Sequence, residues 1–165
     1  AAAAEYCRNQ VTMRDTAPQS LPNRGFAELM TAVLEKGKSF RFQAAGASMS
    51  PFIRDGDILT IAPVAPGIRL GEVVAFRQPE TERLAVHRVV ARGKARFLIR
   101  GDNSSQADGW VGVEQILGHV RRIEHQGRLV HFGLGCERFP IAWLSRAGML
   151  RPLVLLACRL LRAVY

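Results

Sequence analysis

From Ser39 to about Val130 the chain is a succession of short apolar runs punctuated by glycine: SFRFQAAG, DILTIAPV, GEVVAFR, LAVHRVVAR, ARFLIRGD and ILGHVRRIEHQGRLVHF. Phe40 and Phe42, and likewise Phe97 and Ile99, alternate with their neighbours at the two-residue period of a strand. RGKAR and HQGR carry glycine between such runs, as hairpin turns do. A centre patterned this way closes its core as a sheet, and about seven strands are expected, with no internal repeat and no low-complexity segment.

The flanks follow a different period. Phe26, Leu29, Met30, Val33 and Leu34 fall at i, i+3, i+4, i+7 and i+8, one face of a helix, and Gly37 stands where that helix would stop. The polar, proline-bearing RDTAPQSLPNR ahead of it reads as a lead-in. At the other end, IAWLSRAGMLRPLVLLACRLLRAVY is apolar but interrupted by Arg146, Arg151, Arg159 and Arg162. At 100° per residue Arg151, Arg159 and Arg162 gather within about 80° of one another, opposite a Leu/Val surface. A spanning helix would carry each arginine near the bilayer centre at about 2.5–3.5 kcal/mol. The expectation is instead a basic amphipathic helix that packs on the sheet or lies on a membrane or partner. The expected organisation is thus a lead-in over 1–25, a helix over 26–37, a β domain over 38–135 and a basic amphipathic segment over 136–165.

At 165 residues, 48% hydrophobic and 22% charged, the chain can close one domain with a real core. Its net charge is +9, and from residue 121 onward eight arginines face only Glu124 and Glu137, so the basic character lies in the tail. Clustered guanidinium suits phosphate, anionic lipid or an acidic protein alike. Aromatic side chains do not interleave with the arginines as in a single-strand binder, so no nucleic-acid partner is expected, and a membrane or partner contact through residues 141–165 is. Cys7, Cys136 and Cys158 are far apart and form no CxxC, which favours a reducing compartment over a disulfide framework. His119, His125, His131 and Cys136 are spaced by six, six and five, which matches no zinc pattern; neither metal nor cofactor is expected. No basic region followed by a long apolar run opens the sequence, so no signal peptide is read, and the expected location is cytoplasmic or peripheral to a membrane.

GASMSPFIRDGD, residues 46–57, sets two serines beside a proline, between glycines and apolar residues. Such a loop is an ordinary turn unless the chain supplies a base, because a serine hydroxyl is a poor nucleophile at neutral pH. Asp55 and Asp57 read as turn caps and Ser50 as a turn hydroxyl. Lys36 and Lys38 flank a helix end and Lys94 sits in a hairpin turn, so none is placed to lose its charge. His87 in LAVHRVV is different: an imidazole in an apolar strand needs hydrogen-bond partners, whether as a core residue or as a base. RGDNSSQADGW then offers two carboxylates, Asp102 and Asp108, to orient it.

GASMSPFIRDGD, GEVVAF, VHRVV, RGDNSSQADG and ILGHV stand in the order and spacing of the signal peptidase I family, which the β domain resembles over about residues 39–123. The resemblance implies a mainly β, signal peptidase/LexA-like fold and a serine peptidase. The usual bacterial members pair the motif serine with lysine. Here the corresponding strand carries His87, as in the archaeal, sporulation and endoplasmic-reticulum branch. The resemblance thereby implies Ser48 as nucleophile, His87 as base and Asp108 as third member, with Asp102 a turn former or auxiliary carboxylate. It implies a peptide or preprotein substrate. Main-chain N–H groups of Ser48 and Met49 are expected to form the oxyanion hole, on a turn fixed by Pro51 and anchored by Met49 and Phe52. Two other readings stand beside it. One is a non-catalytic scaffold that binds a membrane or partner. The other is a LexA-like autoprotease, against which the only Ala-Gly before Ser48, Ala45–Gly46, lies too close to reach the site.

Overall fold

A computed structural model describes residues 24–64, 67–150 and 152–156. Helix α1 (Arg24–Glu35) precedes strands β1 (Phe40–Gln43), β2 (Ile58–Pro63), β3 (Val73–Arg77), β4 (Leu84–Arg92), β5 (Arg96–Arg100) and β6 (Gly109–Gly112). A single 3₁₀ turn (Val113–Gln115), β7 (Ile116–His125), β8 (Arg128–Val130) and helix α2 (Arg138–Arg146) complete it. The strands form one antiparallel sheet in the order β1-β2-β7-β3-β4-β5-β6, with β8 on β7. The fold is therefore mainly β. It has one strand more than the apolar runs suggest, because β6 is only the four residues GWVG and its register on β5 replaces any apolar run of its own.

Alternation sorts the core into two clusters. Val73 and Ala75 join Met30, Leu34, Leu59, Ile61 and Ile123, whereas Val74 and Phe76 join Val89, Phe97, Ile99 and Val111. β4 passes between them, buried along its length to Ala91, which is why LAVHRVVAR is a nearly continuous apolar run. Any polar group on it must be satisfied by protein.

Helix α1 ends where the left-handed Gly37 (φ 69°) lets its own N–H reach Leu34 O and that of Lys38 reach Val33 O, closing the last carbonyls. Its buried stripe is Ala27, Met30 and Leu34; Leu29, placed on the apolar face by its spacing, is 56% exposed. Phe26 meets Phe40 and Phe42 edge-on, and the buried stripe is turned by about a sixth of a turn from the periodic face. Residues 1–23 of the expected lead-in, and Arg151, Arg159 and Arg162 of the expected basic helix, lie outside the described residues. Helix α2 exposes Phe139 and Trp143, and among the described residues no helix is long and apolar enough to cross a membrane.

Candidate active site

The loop between β1 and β2 carries Ser48 and is closed at its neck by two main-chain bonds, Ala44 N–H to Asp57 O (2.7 Å) and Gly56 N–H to Ala44 O (2.9 Å). Inside it Gly46, left-handed at φ 92°, donates its N–H to Asp55 Oδ1 (2.8 Å), and the Arg54 N–H donates to Asp57 Oδ2 (2.8 Å). Both aspartates thus cap turns, and Asp57 also accepts from a side chain described below. A helical turn follows the serine, with the N–H groups of Phe52 and Ile53 both donating to Met49 O. Met49, Phe52 and Ile53 are buried and pin the loop to the sheet from within.

His87 sits on β4, opposite Val74 of β3. Its Nε2 lies 3.0 Å from Ser48 Oγ and its Nδ1 lies 2.7 Å from Asp108 Oδ2. Asp108 can only accept while ionised, so Nδ1 carries the ring proton and Nε2 is left to accept from the serine. The imidazole and the carboxylate are 11% and 13% exposed, enough to meet a ligand and little enough to keep their bond out of bulk water. Three segments far apart in sequence are brought together by register: β4 holds the ring, the β5–β6 connection returns Asp108 to Ile99 O through its own N–H (2.9 Å), and the β1–β2 loop supplies the hydroxyl.

The loop after β5 fastens the serine from the other side. Asn103 donates its main-chain N–H to Ser48 O (2.8 Å) and its side-chain amide to Ala47 O (3.2 Å). Gly101 must lack a side chain: a Cβ there would stand 2.8 Å from Ser48 O and 3.1 Å from His87 Nε2. Among the described residues the main-chain N–H groups of Ser48 and Met49 have no hydrogen-bond acceptor.

Asp102 stands apart from this line. Its carboxylate receives Arg88 through Nε (2.9 and 3.1 Å) and Nη2 (2.8 Å), and Arg88 Nη1 donates to Gly71 O and Gly133 O (both 2.8 Å). Both side chains are fully buried. Burial pushes the Asp102 carboxyl above its ordinary value, and the charge and hydrogen bonds of Arg88 pull it back. The auxiliary carboxylate of the sequence reading is thus the counter-ion of a buried arginine that ties β4 to three loops. Arg88 also lies over the Phe52 ring (5.4 Å to the centroid), which links this pair to the serine loop. Arginine in the middle of VHRVV is the signal for it, since a buried guanidinium cannot shed its charge and must find an acid.

An open cleft of about 230 Å³ runs past Ser48, His87 and Asp108. Its floor is apolar, with Phe42, Ala44, Leu59, Leu84 and Val86 among the lining residues, and Gln78 and Arg83 stand at its rim. Gln78 passes unnoticed in the sequence, in a turn that reads only as polar connection; its Nε2 donates to Asp108 Oδ1 (3.1 Å). Among the described residues no three His, Cys, Asp or Glu side chains are placed to hold a metal ion. His125, one of the spaced histidines, donates through Nδ1 to Asp57 Oδ1 (2.6 Å) instead.

A hydroxyl, an imidazole and a carboxylate in one line at an apolar cleft can pass a proton from the oxygen that attacks to the group that leaves. The sequence model of the Peptidase S24-like family matches residues 8–121, more than half of the chain.

Proposed function

We propose that this chain, which belongs to the Peptidase S24-like family, is a serine endopeptidase that hydrolyses a leader- or signal-type site in a separate peptide or preprotein. Its triad would be that of the histidine branch of signal peptidases: Ser48 the nucleophile, His87 the base, Asp108 the orienting carboxylate. The observation that carries the reading is the continuous hydrogen-bond line Ser48–His87–Asp108 at the cleft. In the first step Ser48 Oγ bonds to the scissile carbonyl carbon while its proton passes to His87 Nε2. Asp108 steadies the imidazolium, and the free amides of Ser48 and Met49 receive the oxyanion. The C–N bond then breaks as His87 gives its proton to the leaving amine. Water, deprotonated by the same nitrogen, clears the ester. A second proton on His87 removes the acceptor, so cleavage falls on acidification. The apolar floor suits small and aliphatic side chains flanking the scissile bond.

The test is cleavage of synthetic peptides bearing small-residue leader sites, followed by mass spectrometry. The expected result is cleavage by the wild-type chain that disappears in Ser48→Ala and in His87→Ala alike; cleavage that survives both changes refutes the proposal. Fragments of the chain itself, formed at a rate independent of concentration, would point to the autoprotease reading. Absence of any cleavage, with salt-sensitive binding to anionic vesicles, would favour the scaffold, for which the exposed Phe139 and Trp143 beside Arg146 speak.

A further inference from the structure

Asp108 has two carboxylate oxygens, and His87 uses only Oδ2. The other, Oδ1, receives the Gln78 side-chain amide at 3.1 Å. Gln78 is itself held at three points. Its N–H donates to Arg83 O (2.9 Å), its carbonyl accepts from the Glu82 N–H (3.0 Å), and its Oε1 accepts from the Thr81 hydroxyl (2.9 Å). The amide has one consistent orientation: a carboxylate accepts only, so Nε2 faces Asp108, and Oε1 is left for the Thr81 donor. Rotating it by half a turn would set two acceptors against each other. The β3–β4 turn keeps this arrangement with Glu82 left-handed (φ 54°), a conformation that a residue with a side chain adopts at a cost.

The carboxyl torsion of an aspartate is soft, and one hydrogen bond to a ring nitrogen does not fix it. We infer that Gln78, clamped by Thr81, is a positioning residue that sets the plane of the Asp108 carboxylate and thereby the tautomer and aim of His87. The glutamine does this without adding charge, so Asp108 still faces the imidazolium as an anion, with only part of its acceptor strength drawn off by the amide. Arg83 from the same turn is the charged side chain that lines the cleft with His87 and Asp108; Arg88 is closed in a pair with Asp102, and the Arg100 guanidinium is occupied by Ser104 O and Ser105 O.

The inference rests on the peptidase reading, and its experiment keeps the two separable. His87 is titrated by NMR in the Ser48→Ala background, with and without Gln78→Met, which keeps the shape and loses the donor; peptide cleavage is measured in parallel with Ser48 restored. The expected results are a His87 titration moved to higher pH in Gln78→Met, because an Asp108 relieved of one hydrogen bond holds the imidazolium more firmly, and a kcat lower by about tenfold or more at unchanged KM, the effect of losing one hydrogen bond to a charged group. Gln78→Glu, which sets an anion against Asp108, moves the titration further the same way, and Thr81→Val reproduces a part of the kcat loss with Gln78 intact. A His87 titration identical in folded Gln78→Met and parent chain overturns the inference, as does a loss of rate confined to KM, which would make Gln78 a contact for substrate. Should Gln78→Met not fold, the Thr81→Val titration and kcat decide in the same way. If the wild-type chain cleaves nothing, the peptidase reading falls while the titration still decides the role of Gln78.

Discussion

Among the described residues stand two aspartate–histidine pairs of nearly the same geometry and opposite chemical prospects. At the cleft Asp108 Oδ2 lies 2.7 Å from His87 Nδ1; at the far end of β7 Asp57 Oδ1 lies 2.6 Å from His125 Nδ1. In both the carboxylate fixes the proton on Nδ1 and leaves Nε2 as an acceptor. The difference is what that second nitrogen meets. For His87 it is a hydroxyl, which under the proposed function gives up its proton and becomes a nucleophile; for His125 it is Nη1 of Arg54 at 3.4 Å, which keeps its proton at any ordinary pH. A short carboxylate–imidazole bond is thus not in itself a catalytic sign, and the third group decides.

The sharpest way to break the comparison is to replace each carboxylate by its amide. Asparagine at 108 donates where aspartate accepted, so His87 must carry its proton on Nε2, facing Ser48, and can no longer act as a base. Asp108→Asn should lower kcat by ~10⁴-fold, the order known for this change in a serine triad, with the thermal unfolding curve little moved. Asparagine at 57 forces the same tautomer on His125 and turns its Nε2–H against the Arg54 guanidinium. There the loss appears as stability, about 1–3 kcal/mol for a buried acceptor pair badly matched, with peptide cleavage retained. Denaturant unfolding and peptide assays on the two variants check both halves; a reversal of the two outcomes would show that the wrong pair has been assigned to the chemistry.

What the sequence discloses of these two regions differs for a physical reason. Ser48 and His87 are legible because each stands in a stretch whose local rule it breaks, a serine on a proline-bearing turn and an imidazole in an apolar strand, whereas RGDNSSQADGW offers Asp102 and Asp108 alike and only the resemblance to the histidine branch prefers Asp108. The same logic points from Arg88 to an acid, and Asp102 proves to be that acid instead of an accessory to the triad. Asp57 and His125 break no local rule; one starts a strand, the other ends one at a hairpin. Only the register of β2 on β7, with Ile58 opposite Glu124, brings them together, and register is a property of the closed sheet. Gln78 is hidden in the same way, since nothing in RQPETER tells that its turn folds over a carboxylate. The sheet itself is legible from period-two runs, but β6 is too short to show one, and the rotation of α1 is set by aromatic contacts with β1 that no helical spacing records.

The smallest effect separates geometry from chemistry most finely. Arg54→Met removes the donor that His125 Nε2 faces and leaves the Asp57 bond in place. At 3.4 Å that contact is at the long end of a hydrogen bond, and the imidazole is about one-third exposed, so water can replace the lost donor. The expected cost is below about 1 kcal/mol in denaturant unfolding, less than for Asp57→Asn, with cleavage unchanged. The corresponding change on the other pair, Ser48→Ala, also removes one partner of an Nε2 and should also cost little stability, yet under the proposed function it is expected to abolish cleavage. If Arg54→Met were to slow cleavage at saturating peptide, the His125 pair would be acting on the serine loop through Arg54 and Phe52, and the two pairs would be one device in place of two.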